Sequence, residues 1–161
     1  MTEQNELSES SEIFLKQAKI LYGEGKGLNE VEEYDLSLIK LKDSLEILKS
    51  NDLLANKLTN QIISIITKTY FAQANKAEDR LECLMNNREE MLSIYPLDHK
   101  PAIDGIARTT NKIAMQHFKL DNPTLALKYI LESFIVFKEA YKETMIKQSF
   151  YSELTQNLQT I

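Results

Sequence analysis

Tryptophan is absent from this chain of 161 residues, cysteine occurs once, proline three times and glycine four times. Each scarcity excludes something. A single cysteine, Cys83, cannot staple the fold and suits a reducing compartment, the cytoplasm or the nucleus. Valine is scarce too, while Leu, Ile, Lys, Glu, Ala and Asn are plentiful. Such a chain has little from which to build strands and reads as all-α. Long hydrophobic runs are missing: charge or amide interrupts every apolar stretch within a few residues, so no membrane span is expected. The start, Met1-Thr2-Glu3-Gln4-Asn5-Glu6, lacks the basic and apolar regions of a signal peptide. At this length the chain suits one domain that buries its apolar surface without staples.

No segment is strongly basic. The formal net charge is −5, and residues 1–50 carry eleven acidic against six basic side chains, leaving the remainder close to neutral. A module that neutralises phosphates would show a basic excess, so nucleic acid is not an expected partner.

What is present is helical patterning. Residues 1–10 lack apolar periodicity and read as a disordered acidic tail. A first helix is expected from Ser11, capped by Ser10 or Ser11, through Phe14, Leu15, Ala18, Leu21 and Tyr22. It should stop at Gly23-Glu24-Gly25-Lys26-Gly27, making Gly23–Glu33 a long loop or at best a frayed helix end, either a tolerated insertion or a second contact site. A second helix from Tyr34 carries Leu36, Leu38, Leu41, Leu45 and Ile47 and ends at Asn51-Asp52. A third covers Leu53 to Asn75, with Leu58, Ile62, Ile65, Ile66 and Tyr70. A fourth runs from Glu78 to Tyr95, before Pro96. Pro101 opens the fifth. The sixth spans Thr124 to Lys142 and the seventh Thr144 to Gln159.

The segment from Ile113 to Phe134 is the most telling: two helices joined by a tight turn at Asp121-Asn122-Pro123. Small residues lie at Ala114 in the first, and at Ala126 and Ser133 in the second. This layout resembles a tetratricopeptide (TPR) hairpin, in which small side chains let two helices close on each other. Weaker copies follow the same pattern. Ala18 takes the place of Ala114, with Ser37 and Ser44 in the places of Ala126 and Ser133. Thr67 and Tyr70 mark the middle copy, which ends at Met91-Leu92-Ser93-Ile94-Tyr95-Pro96. The resemblance covers residues 12–142. The counterparts Ala18, Thr67 and Ala114 recur at nearly fifty residues, against a TPR period of about 34, so the repeats are long. It implies a right-handed stack of antiparallel helix hairpins, a TPR-like solenoid of about seven helices. Residues 11–142 would form three hairpins and residues 143–161 a C-terminal capping helix.

The resemblance also implies a binding groove lined by the first helix of each hairpin. Its inner face would carry Lys19 and Tyr22, then Ser64, Lys68 and Phe71, then Arg108, Asn111, Met115, Phe118 and Lys119. This basic track interleaved with aromatics suits a protein or peptide partner, acidic in character, with one or two apolar anchors. The expected function is a protein–protein interaction adaptor. The other reading is a small structural subunit of a larger assembly, held by its convex face or its last helix. That helix, with Phe150 and Tyr151, could equally dock a second copy. The residue set with which some TPR domains clamp chaperone carboxylates is not matched: Lys19 and Lys68 stand where Asn is required, and Leu15 replaces a Lys.

Catalytic patterns are missing. No Gly-rich phosphate loop, nucleophile motif or Glu-x-x-His pattern occurs. His99 and His117 lie far apart and form no metal pair at helical spacing. His99 reads as a polar turn residue, and His117 as packed or groove-facing. Cys83 reads as a small buried apolar residue. The pair Glu89-Glu90, which follows Arg88, reads as a solvated helix face. No enzyme activity, cofactor or metal is therefore expected.

Overall fold

The computed structural model describes residues 8–140 and 148–161, and among these it is all-α. Seven helices follow in order: α1 (Glu9–Glu30), α2 (Tyr34–Ser50), α3 (Lys57–Lys76), α4 (Arg80–Ile94), α5 (Lys100–Lys119), α6 (Pro123–Ala140) and α7 (Gln148–Thr160). They belong to two compact units, Met1–Thr69 and Tyr70–Ile161, with the boundary inside α3.

In the first unit α1 starts earlier than the apolar pattern suggests. The side chain of Ser8 caps it by accepting from the Ser11 amide at 3.2 Å, and Glu9 and Glu12 sit in the first turn. Carboxylates there meet the positive end of the helix dipole. Ser8–Ser10 thus belong to the helix start and not to a tail; residues 1–7 of the expected tail lie outside the described residues.

The larger correction concerns Gly23–Glu33. It is not a loop. α1 runs straight through the glycines to Glu30, and the connection to α2 is only Val31, Glu32 and Glu33. Gly25 is buried where the two helices meet, and Ser37 of α2 donates from its hydroxyl to the Gly25 carbonyl at 2.6 Å. One heptad back, Ser44 donates to the Ala18 carbonyl, also at 2.6 Å. A missing Cβ at Gly25 and a single one at Ala18 let the helices approach closely. Each serine then spends its hydroxyl on the spare lone pair of a helical carbonyl. The helix cost of glycine, about 1 kcal/mol against alanine, is offset by packing that no side chain would permit.

The second unit repeats this hairpin 89 residues later. Ser133 of α6 donates to the Ala107 carbonyl of α5 at 2.7 Å, as Ser44 does to Ala18. Ala18, Gly25, Ser37 and Ser44 therefore correspond to Ala107, Ala114, Ala126 and Ser133. The counterpart of Ala114 is Gly25, not Ala18, so the register of the first hairpin lies one heptad from the expected one. The turns match as well. Glu32 and Asp121 take the left-handed conformation, with φ of 64° and 60°. Glu33 N–H bonds to the Leu28 carbonyl at 3.0 Å, and Asn122 N–H to the His117 carbonyl at 2.9 Å. The second helices start at Tyr34, Arg80 and Pro123. The repeat is accordingly shorter than the spacing of Ala18, Thr67 and Ala114 implies.

Elsewhere in the second unit, Asp79 caps α4, Tyr95 ends it before Pro96, and Pro101 occupies the first turn of α5. The core joins Ala107, Ala114, Ile130 and Phe137 to Leu154 of α7. α6 ends at Ala140, and Lys142 of its expected span lies outside the described residues, as do Thr144–Lys147 of the expected α7 and the side chains of Phe150 and Tyr151.

Glu89 and Glu90 are exposed, whereas Arg88 before them is half-buried. Arg88 donates to Thr110 of α5 at 2.9 Å and approaches Glu132 of α6 at 3.4 Å, so it ties α4 to the third hairpin. Glu90 accepts from the hydroxyl of Tyr70, whose ring is fully buried. Burial, reinforced by that carboxylate, pushes the Tyr70 phenol far above its ordinary value. Above about pH 10 the unfolded chain gives up a proton that the folded chain retains, so stability must fall as pH rises, by about 1.4 kcal/mol per pH unit. Urea unfolding at pH 10, 11 and 12 should show this extra slope in the native protein and not in Tyr70→Phe. Equal slopes would mean that Tyr70 ionises freely in the fold.

Candidate functional site

A cavity of about 240 Å³ opens within the second unit, between the end of α3, the start of α4, α5 and α7. Its position follows from local chemistry. Phe71 and Ala74 come from the last turns of α3, and the Asp79 cap begins α4 so that Arg80 stands at its first position. From α5 come Asn111, Lys112, Met115, Gln116 and Lys119, a single stripe at helical spacing. α7 adds Glu153 and Asn157. These flank Leu154, the apolar residue that docks this helix in the core.

The cavity has an apolar floor and a cationic rim. Phe71, Ala74, Leu84 and Met115 supply the apolar surface, and Arg80, Lys112 and Lys119 the charge. Lys112 holds its ammonium 4.7 Å from the centre of the Phe71 ring, a cation–π contact. Arg80 donates to the Asn75 side chain at 3.0 Å. Among the described residues none of the three cations is in an ion pair. Glu153 contributes the one carboxylate of the lining. Its Oε1 accepts from the Asn111 amide at 3.0 Å, and the Asn111 carbonyl oxygen accepts from Asn157, also at 3.0 Å.

Of the ten residues expected to line a groove, Phe71, Asn111, Met115 and Lys119 meet at this cavity. Asn111 was expected on an exposed face; it is only 2 % exposed, because Glu153 and Asn157 satisfy its carboxamide. Arg108 does not reach the cavity and is held to Asp104, one turn back, at 3.0 Å. Phe118 is half-buried and does not line the cavity. Lys19, Tyr22, Ser64 and Lys68 belong to the first unit, where both lysines and Ser64 are exposed and Tyr22 is half-buried.

Arg80, Lys112, Gln116, Glu153 and Asn157 were not expected from the sequence. For Lys112 and Gln116 the signal existed. Each follows a residue placed on the expected inner face, so the stripe on α5 keeps Asn111, Met115 and Lys119 but takes in Lys112 and Gln116 where Arg108 and Phe118 were expected.

The other chemistry-bearing residues sit elsewhere. His117 is buried, and its ring stacks on Tyr129 with centroids 5.3 Å apart and planes 5° from parallel. His99 precedes the first residue of α5 without a side-chain capping bond, and its Nδ1 lies 3.0 Å from Asp98, whose carboxyl that contact holds below its ordinary value. Cys83 is half-buried beside Leu84 and accepts from the Asn87 amide at 3.6 Å, less enclosed than expected. Among the described residues no group of three or more His, Cys, Asp and Glu side chains is placed to hold a metal ion. None of the described helices is long and apolar enough to cross a membrane.

No protein-family model, curated protein or solved structure matches this chain.

Proposed function

We propose that this protein is a non-catalytic interaction module, a TPR-like adaptor whose helix hairpins take an acidic segment of a partner protein. One observation carries the reading: three cations without carboxylate partners ring the apolar floor formed by Phe71 and Met115. A cation whose counter-charge is not supplied internally is ready to receive one from outside, and the aromatic floor offers contact area at low entropic cost. At about 240 Å³ the cavity is smaller than the ~300–1,000 Å³ usual for small-molecule sites, and suits one or two anchoring side chains of a longer segment.

The rival reading, a structural subunit held by an outer face, has its own support. α6 exposes Leu127, Leu131 and Ile135 at successive turns of one face. Selection from a phage-displayed random-peptide library separates the two. The native protein should enrich sequences with Asp or Glu beside an apolar residue, and Lys112→Glu/Lys119→Glu should bind them at least tenfold more weakly while keeping its helical circular dichroism. Both lysines are exposed, so the reversal leaves the core untouched. Enriched peptides without acidic residues, or equal binding by the variant, would overturn the proposal. Loss of native complexes on Leu131→Glu alone would favour the subunit.

A further inference from the structure

We infer that Glu153 holds the place of the ligand's own carboxylate, so that the C-terminal helix competes with the acidic segment for the Asn111 amide. This rests on the reading of the cavity as an acidic-peptide site, and adds to it the way the site is regulated.

The geometry starts at Asn111. Its carbonyl oxygen is claimed by the Asn157 amide at 3.0 Å, which turns its own NH₂ towards Glu153. A side chain only 2 % exposed is thereby fixed as a donor at the cavity wall. Such a buried amide needs an acceptor. Glu153 supplies it at 3.0 Å, as a carboxylate, in a cavity otherwise lined by three cations. A carboxylate on that donor, near Arg80, Lys112 and Lys119, is what an Asp or Glu of the partner segment would present.

The same contact is poised to exchange. The Glu153 side chain is exposed, and its head group forms no ion pair among the described residues. Hydrogen bonds accepted by exposed carboxylates are readily traded for water. Its neighbour Leu154 is fully buried in the core, so α7 can stay docked while the Glu153 side chain alone swings out. The incoming carboxylate then takes the Asn111 donor, and no buried polar group is left unsatisfied. Being tethered, Glu153 is present at a high effective concentration and weakens every acidic ligand by the same factor. Its removal should therefore tighten binding, although it deletes a residue of the site.

The test uses two fluorescein-labelled peptides in polarisation titrations against the full chain. One alternates Glu and Leu and is C-terminally amidated. The other alternates Gln and Leu and ends in a free carboxylate, which separates a side-chain source of the anion from a chain terminus. For whichever peptide the native protein binds, Glu153→Ala should bind about fivefold to tenfold tighter. Glu153→Gln keeps an acceptor for Asn111 but loses the charge, and should gain less. Glu89→Gln removes an equal charge from an exposed site on α4 outside the cavity, and should gain nothing. If the native protein binds and Glu153→Ala binds no tighter, or Glu89→Gln gains as much, the competition is refuted while the peptide site stands. If neither the native protein nor Glu153→Ala binds either peptide, the acidic-peptide reading falls and the competition with it.

Discussion

Valine in place of Gly25 is expected to destabilise the protein by about 3 kcal/mol and alanine by about 1 kcal/mol, whereas alanine at Gly23 or Gly27 should stabilise it by about 0.5–1 kcal/mol. The three glycines share one helix and nearly one sequence context, so propensity favours alanine at each of them equally. Packing separates them. A Cβ at Gly23 or Gly27 would meet nothing within 4 Å. A Cβ at Gly25 would stand 2.6 Å from Cγ of Leu41, 2.8 Å from its Cδ2 and 3.2 Å from the Ser37 carbonyl oxygen. Leu41 is fully buried and Cγ is its branch point, so it cannot swing aside, and the second obstacle is backbone. The helices would have to part, loosening the Ser37 bond to the Gly25 carbonyl as well. Overpacking of this kind costs about 1–3 kcal/mol, which exceeds the propensity gain for alanine. Valine adds two methyl groups and a poorer helix propensity. Urea unfolding followed by circular dichroism would read all four variants. A Gly25→Ala protein as stable as Gly23→Ala would mean that α1 and α2 have room between them for another methyl group.

The same pentapeptide marks where local sequence signals mislead. Three glycines in five residues read as a break because glycine weakens an isolated helix. What keeps the helix intact lies twelve and sixteen residues away, in Ser37 and Leu41, whose packing requires one position without a side chain. Where local and tertiary signals agree, the sequence is legible. The Leu and Ile periods of α2 and α3, the stop at Pro96 and the opening at Pro101 all place helices close to where they lie. The small residues Ser37, Ser44, Ala126 and Ser133 are all buried, as the hairpin pattern requires, because two close helices admit nothing larger.

The site is legible along α5 and at Phe71 of α3. Asn111, Met115 and Lys119 fall on one stripe that helical geometry alone can draw, although Lys112 and Gln116 belong to it and Arg108 and Phe118 do not. Glu153 and Asn157 could not be placed from sequence. Their position depends on how a C-terminal helix docks against one some forty residues earlier, and the two leucines of this polar helix, Leu154 and Leu158, give too weak a period to fix that. Arg80 presents a different obstacle: its approach to the cavity is set by the turn before α4, whose geometry no motif announces. The loss of Arg108 has a third cause. Asp104, at the favourable spacing of one helical turn, captures it within α5 before any ligand can.

Leu154→Ala is expected to release α7 without unfolding the remainder of the protein. Leu154 is fully buried and shares a cluster with Ala107, Ala114, Ile130 and Phe137, while Leu158 and Ile161 pack at its edge. Truncating a buried leucine costs about 2–5 kcal/mol. A helix held by one fully buried anchor is a natural unit of local opening, so the loss should fall on that opening and not on the global transition. In hydrogen exchange, the amides of Gln156–Thr160 should lose protection by a factor of about 30 or more, as 2 kcal/mol implies, while those of α1 and α2 keep theirs. The polar contacts cannot compensate, since the Asn111 bonds to Glu153 and Asn157 are shared with water once the helix lifts. Detachment also removes both α7 residues from the cavity, so Leu154→Ala and Glu153→Ala should differ: the first opens one wall, the second clears only the competing carboxylate. Protection lost evenly along the whole chain would show instead that α7 is an inseparable part of the second unit, and that side-chain exchange at Glu153 is the only movement the site allows.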